Sequence, residues 1–169
     1  MSELLKFRKQ KDEFFEKDPH SPLSTEQKAA FQGLDYFPEN PDLRLVTGVK
    51  PFKVQEEVQI QTSTGDLQSY TRYGRLDFEV DGEKTSLTLY IGKDGHPFVP
   101  FGDATSGKET YGAGRYLEPQ ELDDGKYLVD FNLAYNPWCA YSPAYSCPLP
   151  PEENRLKVPV RAGEKNFPG

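Results

Sequence analysis

The sequence predicts a mainly β fold, an antiparallel meander forming a barrel-like or strongly coiled sheet, with one or two short helices at the N-terminus. Three observations carry this. From residue 54 onward, apolar side chains recur with period 2. Turn signals separate the runs at short intervals, and Asp81-Gly82 is the strongest of them. Only the first 35 residues show the helical period, so the strands have no interleaved helices that would make them parallel.

Ser2 is placed to cap a first helix, in which Leu4, Phe7, Phe14 and Phe15 fall near one face and charged residues fill the other. Asp18-Pro19 ends it, because the residue before a proline is pushed out of helical geometry. Ser24 and Gln27 form a capping box for a second helix over Thr25 to Gln32 that stops at Gly33, with Phe31 and Leu34 as anchors. Prolines and Asn40 mark a loop from Tyr36 to Asp42.

The first strand is read over 54–62, where Val54, Val58, Ile60 and Thr62 alternate with Gln55, Glu57, Gln59 and Gln61, and Glu56 is an imperfection on the inward side. Leu76, Phe78 and Val80 alternate before Asp81-Gly82, and Thr85, Leu87, Leu89 and Ile91 after it. A two-residue turn there sets Phe78 opposite Thr85 and Leu76 opposite Leu87, so both apolar rows share a face. Gly92 to Gly95 turns the chain into Pro97 to Phe101, a proline-flanked edge or rim. A glycine-rich loop leads into a short strand at 115–118. Lys126 to Phe131 forms another strand, and Val158 to Arg161 is expected to close the sheet.

Residues 131–151 stand apart. At 28% charged residues overall, a run of 21 should carry about six charges. This one carries none, yet it holds five prolines, Phe131, the only tryptophan, three tyrosines and both cysteines. The prolines forbid a membrane helix. Such a segment must be covered by protein or must itself cover something.

Composition bounds the function. A chain of 169 residues suits one domain, 1–169, with a helical brace at 1–35 and a β-rich body at 43–165. A net charge of −7 without a basic patch argues against nucleic acid as a partner. The charged N-terminus resembles neither a signal peptide nor a membrane span, so the chain is expected in the cytoplasm without a membrane partner. Cys139 and Cys147, spaced C-x7-C and far from His20 and His96, match no zinc pattern. No metal or cofactor is expected. The glycine-rich loop lacks both nucleotide-binding signatures and precedes a strand rather than a helix.

Polar residues flank the two irregular segments. If these meet at one mouth of the barrel, Asp103, Thr105, Glu109, Tyr111, Arg115, Asn132, Asn136, Cys139 and Tyr141 are the candidate ligand-binding residues. Arg115 would orient a small polar or anionic molecule. The competing reading pairs Arg115 with Asp130 or Glu109 and lets Asn132 and Asn136 hold the loop by bonding its own backbone. Two further alternatives are an enzyme of hydrolase or isomerase type using Asp103, Glu109 or Cys139, and an interaction module in which Trp138 and the tyrosines dock another protein or a second copy.

Four stretches, SPL at 21–23, FGDATSGKETYGAGRYL at 101–117, DFNLAYNPWCAYSPAYSCPLPPEENRL at 130–156 and RAGEK at 161–165, resemble a prokaryotic domain-of-unknown-function family, DUF 1684. The likeness covers nearly the whole chain. It implies a single-domain prokaryotic module and brings no activity, substrate or catalytic residue with it.

Overall fold

The structure is a computed structural model and describes residues 2–167. Helix α1 spans Glu3–Lys17; its Ser2 cap accepts from the amide of Leu5, and Asp18 ends it. Helix α2 spans Thr25–Ala30 with the expected reciprocal capping box between Ser24 and Gln27. It stops short of Gln32 because Phe31 turns extended to pack its ring on Phe15 of α1.

Seven antiparallel strands follow: β1 Arg44–Gln61, β2 Leu67–Val80, β3 Glu83–Ile91, β4 Pro97–Phe101, β5 Arg115–Leu117, β6 Gln120–Glu121 and β7 Lys126–Asp130. They pair in the order β5-β4-β3-β2-β1-β7-β6 as one curled half-barrel. Its two outermost strands, β5 and β6, are joined by Glu118-Pro119 alone, a link of roughly 10 Å at full extension that brings the two edges of the sheet together.

The Asp81-Gly82 hairpin has the register expected from its sequence: Phe78 faces Thr85 and Leu76 faces Leu87. Asp81 and Gly82 both take positive φ, the twist that suits a two-residue hairpin. Strands β1 and β2 are longer than their sequence pattern, because irregularities at Pro51/Glu56 in the β1–β2 ladder and at Arg72/Gly74 in the β2–β3 ladder interrupt the alternation without ending the strands. Val54 and Glu56 consequently lie exposed, while Ile60 and Thr62 are buried.

The core is filled by Leu76, Val80, Leu87, Leu89, Val99, Phe101, Leu117 and Val129 from the sheet, together with Leu156, Val158, Val160 and Ala162 from the C-terminal segment. That segment does not close the sheet as a strand. It runs extended, and every second side chain plugs the concave face.

How it reaches that face follows from strand alternation. Leu87 and Leu89 face the core, so Thr88 and Tyr90 point to the outer face. There Glu153 accepts from Thr88 Oγ1 at 2.7 Å and Tyr90 OH at 2.9 Å, and from Arg72 through two nitrogens. Strands β3 and β4 pair only at Tyr90–Phe98 and Ile91–Pro97. Beyond that point they split, and the Asn154 side chain fills the ladder positions between them. It accepts from Thr88 N at 2.7 Å and donates to the carbonyls of Thr88 and Pro100 at 2.9 Å each. The chain therefore passes from the outer to the inner face at Asn154, which is wholly buried.

Candidate functional site

The two irregular segments meet. Tyr116 and Tyr135 exchange both backbone hydrogen bonds, at 2.8 and 3.0 Å. Nearby, Gly114 has φ +112°, and a Cβ there would lie 2.5 Å from the Phe101 carbonyl and 2.7 Å from Pro150 Cγ. Only glycine satisfies both the backbone sign and the close approach of the uncharged ribbon.

The polar residues at this junction divide into separate groups. Arg115 is 1% exposed. Its guanidinium donates to the carbonyls of Val160 at 2.9 Å, Glu164 at 3.1 Å and Ala162, and it lies 3.6 Å from Asp103 Oδ2. Asp103 also accepts from Val160 N at 2.6 Å, while Thr105 Oγ1, which donates to its other oxygen, neighbours Thr110 Oγ1. Arg115 thus holds the protein's own C-terminal segment where an external anion was expected. Burial pushes Arg115 down from its ordinary value, while Asp103 and Glu164 hold it charged.

A second group lies beneath α1. Glu164, 2% exposed, is paired with Lys11 Nζ and accepts from Asn136 N and Tyr141 OH at 3.0 Å each. Asn136 donates to Tyr141 OH and the Lys165 carbonyl. Asn132 bonds to neither group: it exchanges hydrogen bonds with the Asn40 backbone and donates to Asp130. Glu109 pairs with Arg161 at 3.3 Å and Asp130 with Arg44 at 3.8 Å, so neither partners Arg115. Tyr111 OH lies 3.8 Å from Cys139 Sγ, and burial pushes its phenol up to about 12. Trp138 packs between Phe14 and Tyr145, and Tyr141 is buried against Phe15. The aromatic ribbon mostly faces inward. No three His, Cys, Asp or Glu side chains among the described residues converge as a metal ligand set.

Concave space opens on the outer face, one residue away from the buried groups. Arg115 and Leu117 point into the core, so Tyr116 points out, as Phe98 does between Val99 and the preceding turn. Tyr70, Phe98, Tyr116 and Tyr135 line a cleft of about 650 Å³ whose rim carries Glu118 and an exposed His96. The rings support one another: Tyr70 stacks on Phe98 at 5.4 Å, Phe98 meets Tyr116 edge-on at 4.8 Å, and Tyr116 meets Tyr135 at 5.7 Å. Tyr135 OH donates to Glu118 Oε1 at 3.1 Å, Tyr70 OH to Gln68 Oε1 at 3.1 Å, and Tyr116 OH to the Pro148 carbonyl. Each phenol has spent its proton and keeps lone pairs. Burial pushes the phenols of Tyr116 and Tyr135 upward, which keeps them neutral.

Tyr70, Phe98, Tyr116, Tyr135, Glu118 and His96 were not among the residues expected from sequence. Strand alternation alone marks Tyr116 as facing away from Arg115.

A second concavity of about 720 Å³ lies where β1 and β2 part beyond Val49–Leu76, with Leu45, Phe78 and Val80 in its wall and Asp42, Asp77 and Glu79 around it. Neither segment that forms the aromatic cleft contributes to it.

Comparison with known proteins gives a family and a fold neighbour. A family described as "Protein of unknown function (DUF1684)" matches residues 29–165. The solution NMR structure of an uncharacterised protein from Haloarcula marismortui is similar, with 41% identity, a TM-score of 0.71, and coverage of 96% of this chain and 91% of that one. No curated protein matches.

Proposed function

We propose that this chain, which belongs to the DUF1684 family, binds a small polar molecule in the cleft between Tyr70, Phe98, Tyr116 and Tyr135. The carrying observation is that the glycine-rich segment and the uncharged ribbon, through Tyr116 and Tyr135, jointly build an aromatic-walled concavity of ligand size on the outer face of the sheet.

The chemistry narrows the ligand. Around the cleft the fixed charges are Lys93 against Asp94 and Glu118, a balance that does not favour an anion. The phenol oxygens and the second Glu118 oxygen offer acceptors, which suit a molecule rich in hydroxyl or amine donors. Ring faces add affinity for a flat apolar side, such as the C–H face of a sugar ring. A hydroxyl- or amino-bearing ring fits these demands better than a carboxylate does. Arg115, the charge a carboxylate would need, is occupied by backbone carbonyls.

The test is an NMR titration of labelled protein with monosaccharides, amino sugars and small dicarboxylates. A hydroxyl- or amino-bearing ring should shift the amides of residues 68–70, 96–98, 116–118 and 135. Glu118→Gln should weaken binding by about tenfold or more, since a hydrogen bond to a charged group contributes roughly 1.5–3 kcal/mol. Dicarboxylate binding that leaves these amides still and perturbs residues 158–165 would replace this reading with the original anion site.

A further inference from the structure

We propose that Cys139 and Cys147 form a thiol modification site that closes an intramolecular disulfide and staples the uncharged ribbon beside the aromatic cleft. Both cysteines are free, Cys139 half-buried and Cys147 buried. The amide of Cys139 donates to Cys147 Sγ at 3.3 Å. Adding the bonds from that nitrogen and sulfur to their own Cα atoms leaves the two Cα atoms at most roughly 7.5 Å apart, just beyond the upper edge of the usual disulfide range. Joining the sulfurs asks for a change of the Cys139 rotamer together with a small settling of the ribbon.

The backbone on both sides is already held. Cys139 sits in a single 3-10 turn, Trp138–Ala140. The Cys147 amide donates to Ser63 Oγ at 3.1 Å, and its carbonyl accepts from Ser63 N at 2.9 Å, which pins it to the turn between β1 and β2. The next residue, Pro148, lines the cleft and accepts from Tyr116 OH. A covalent link at 147 fixes that wall.

The difference in burial sets the order of events. With a low-molecular-weight disulfide such as oxidised glutathione as the oxidant, the Cys139 thiolate attacks one sulfur, forming a mixed disulfide and releasing one glutathione thiolate. Cys147 then yields its proton to solvent, attacks Cys139 Sγ and releases the second glutathione. The protein loses two electrons and two protons, and one glutathione disulfide becomes two thiols. Burial pushes the Cys147 thiol up to about 11, so the more exposed Cys139 is the thiol that meets the oxidant first.

Intact-mass analysis after incubation of the full chain with oxidised glutathione and an acid quench tests this without reference to any ligand of the cleft. Wild type should lose two hydrogen atoms, resist alkylation and recover with dithiothreitol, while Cys147→Ser should retain one glutathionyl group on Cys139. Cys139→Ser should react about tenfold more slowly, because its remaining thiol is buried. The proposal fails if wild type keeps a glutathionyl group on Cys139 without resolving it, forms disulfide-linked dimers, or stays fully reduced.

Discussion

Replacing Arg115 by Met separates the two roles this residue could play. As the clamp on the C-terminal segment, the guanidinium donates to three carbonyls, at 160, 162 and 164, and faces Asp103 with both side chains 1% exposed. Methionine fills comparable volume but removes every donor. Three buried carbonyls lose a partner, and the Asp103 carboxylate keeps Val160 N and two hydroxyls but loses its counter-charge. Breaking one side of a buried pair costs about 3–5 kcal/mol, a large part of the roughly 5–15 kcal/mol that holds a domain folded.

At about 2.1 cal/mol/K per residue, a chain of this length unfolds with an entropy of roughly 0.35 kcal/mol/K, so the midpoint should fall by about 8–14 °C. Thermal unfolding followed by near-ultraviolet circular dichroism reads this. Hydrogen exchange should show the amides of residues 158–165 losing protection first. Adding Asp103→Asn to Arg115→Met should recover about 1–2 kcal/mol by removing the stranded charge. A midpoint for Arg115→Met within about 2 °C of wild type would show that the guanidinium is not what holds the segment, and would return Arg115 to the ligand.

Two further predictions concern the passage between the faces. Asn154→Ala leaves Thr88 N, Thr88 O and Pro100 O without partners, and should cost about 2–5 kcal/mol in urea unfolding; a loss below about 1 kcal/mol would mean the split between β3 and β4 closes without it. Glu153 is held below its ordinary value of 4.5 mainly by Arg72, with help from Thr88 and Tyr90 against burial. A carboxylate depressed in the folded state adds stability that is complete above its unfolded value and is lost as pH falls through the folded one. The gap in urea midpoint between wild type and Glu153→Gln should therefore be widest near pH 7 and shrink below pH 4.5; a gap that does not change with pH would remove the charge from the account.

Local rules carried much of the fold. The helix caps at Ser2 and Ser24 and the Asp81-Gly82 register are set by neighbouring residues, and each lies where its sequence places it. The lengths of β1 and β2 were not legible, because bulges between Pro51 and Glu56 and between Arg72 and Gly74 shift the period midway. The same bulge hid Tyr70. Read without it, Tyr70 shares a face with Leu76, whereas the inserted residue turns Tyr70 and Arg72 to the outer face. The meeting of residues 101–117 with 130–147, posed from the missing charge of 131–151 and the glycines of 101–117, is made by the Tyr116–Tyr135 bridge. The occupant of the barrel was not legible: Leu156, Val158, Val160 and Ala162 carry a four-point alternation that reads equally as a strand or as a plug, and only the opening at Asn154 decides between them.

That plug redirects the search for function. A half-barrel invites a ligand on its concave side, but here the concave side holds the chain's own residues 156–162, locked by Arg115 and Asp103 from below and by Glu164 beneath α1. An incoming molecule would have to displace a covalently attached competitor, whose effective concentration is far above that of any free ligand. The aromatic cleft, by contrast, opens on the convex side, where no segment of the chain competes for it. There the alternation that buries Arg115 and Leu117 necessarily turns Tyr116 outward, beside Tyr135 from the ribbon. The feature that closes the inner site is thus the one that builds the outer cleft: each residue of β5 that locks the plug fixes the angle of its neighbour in the aromatic wall.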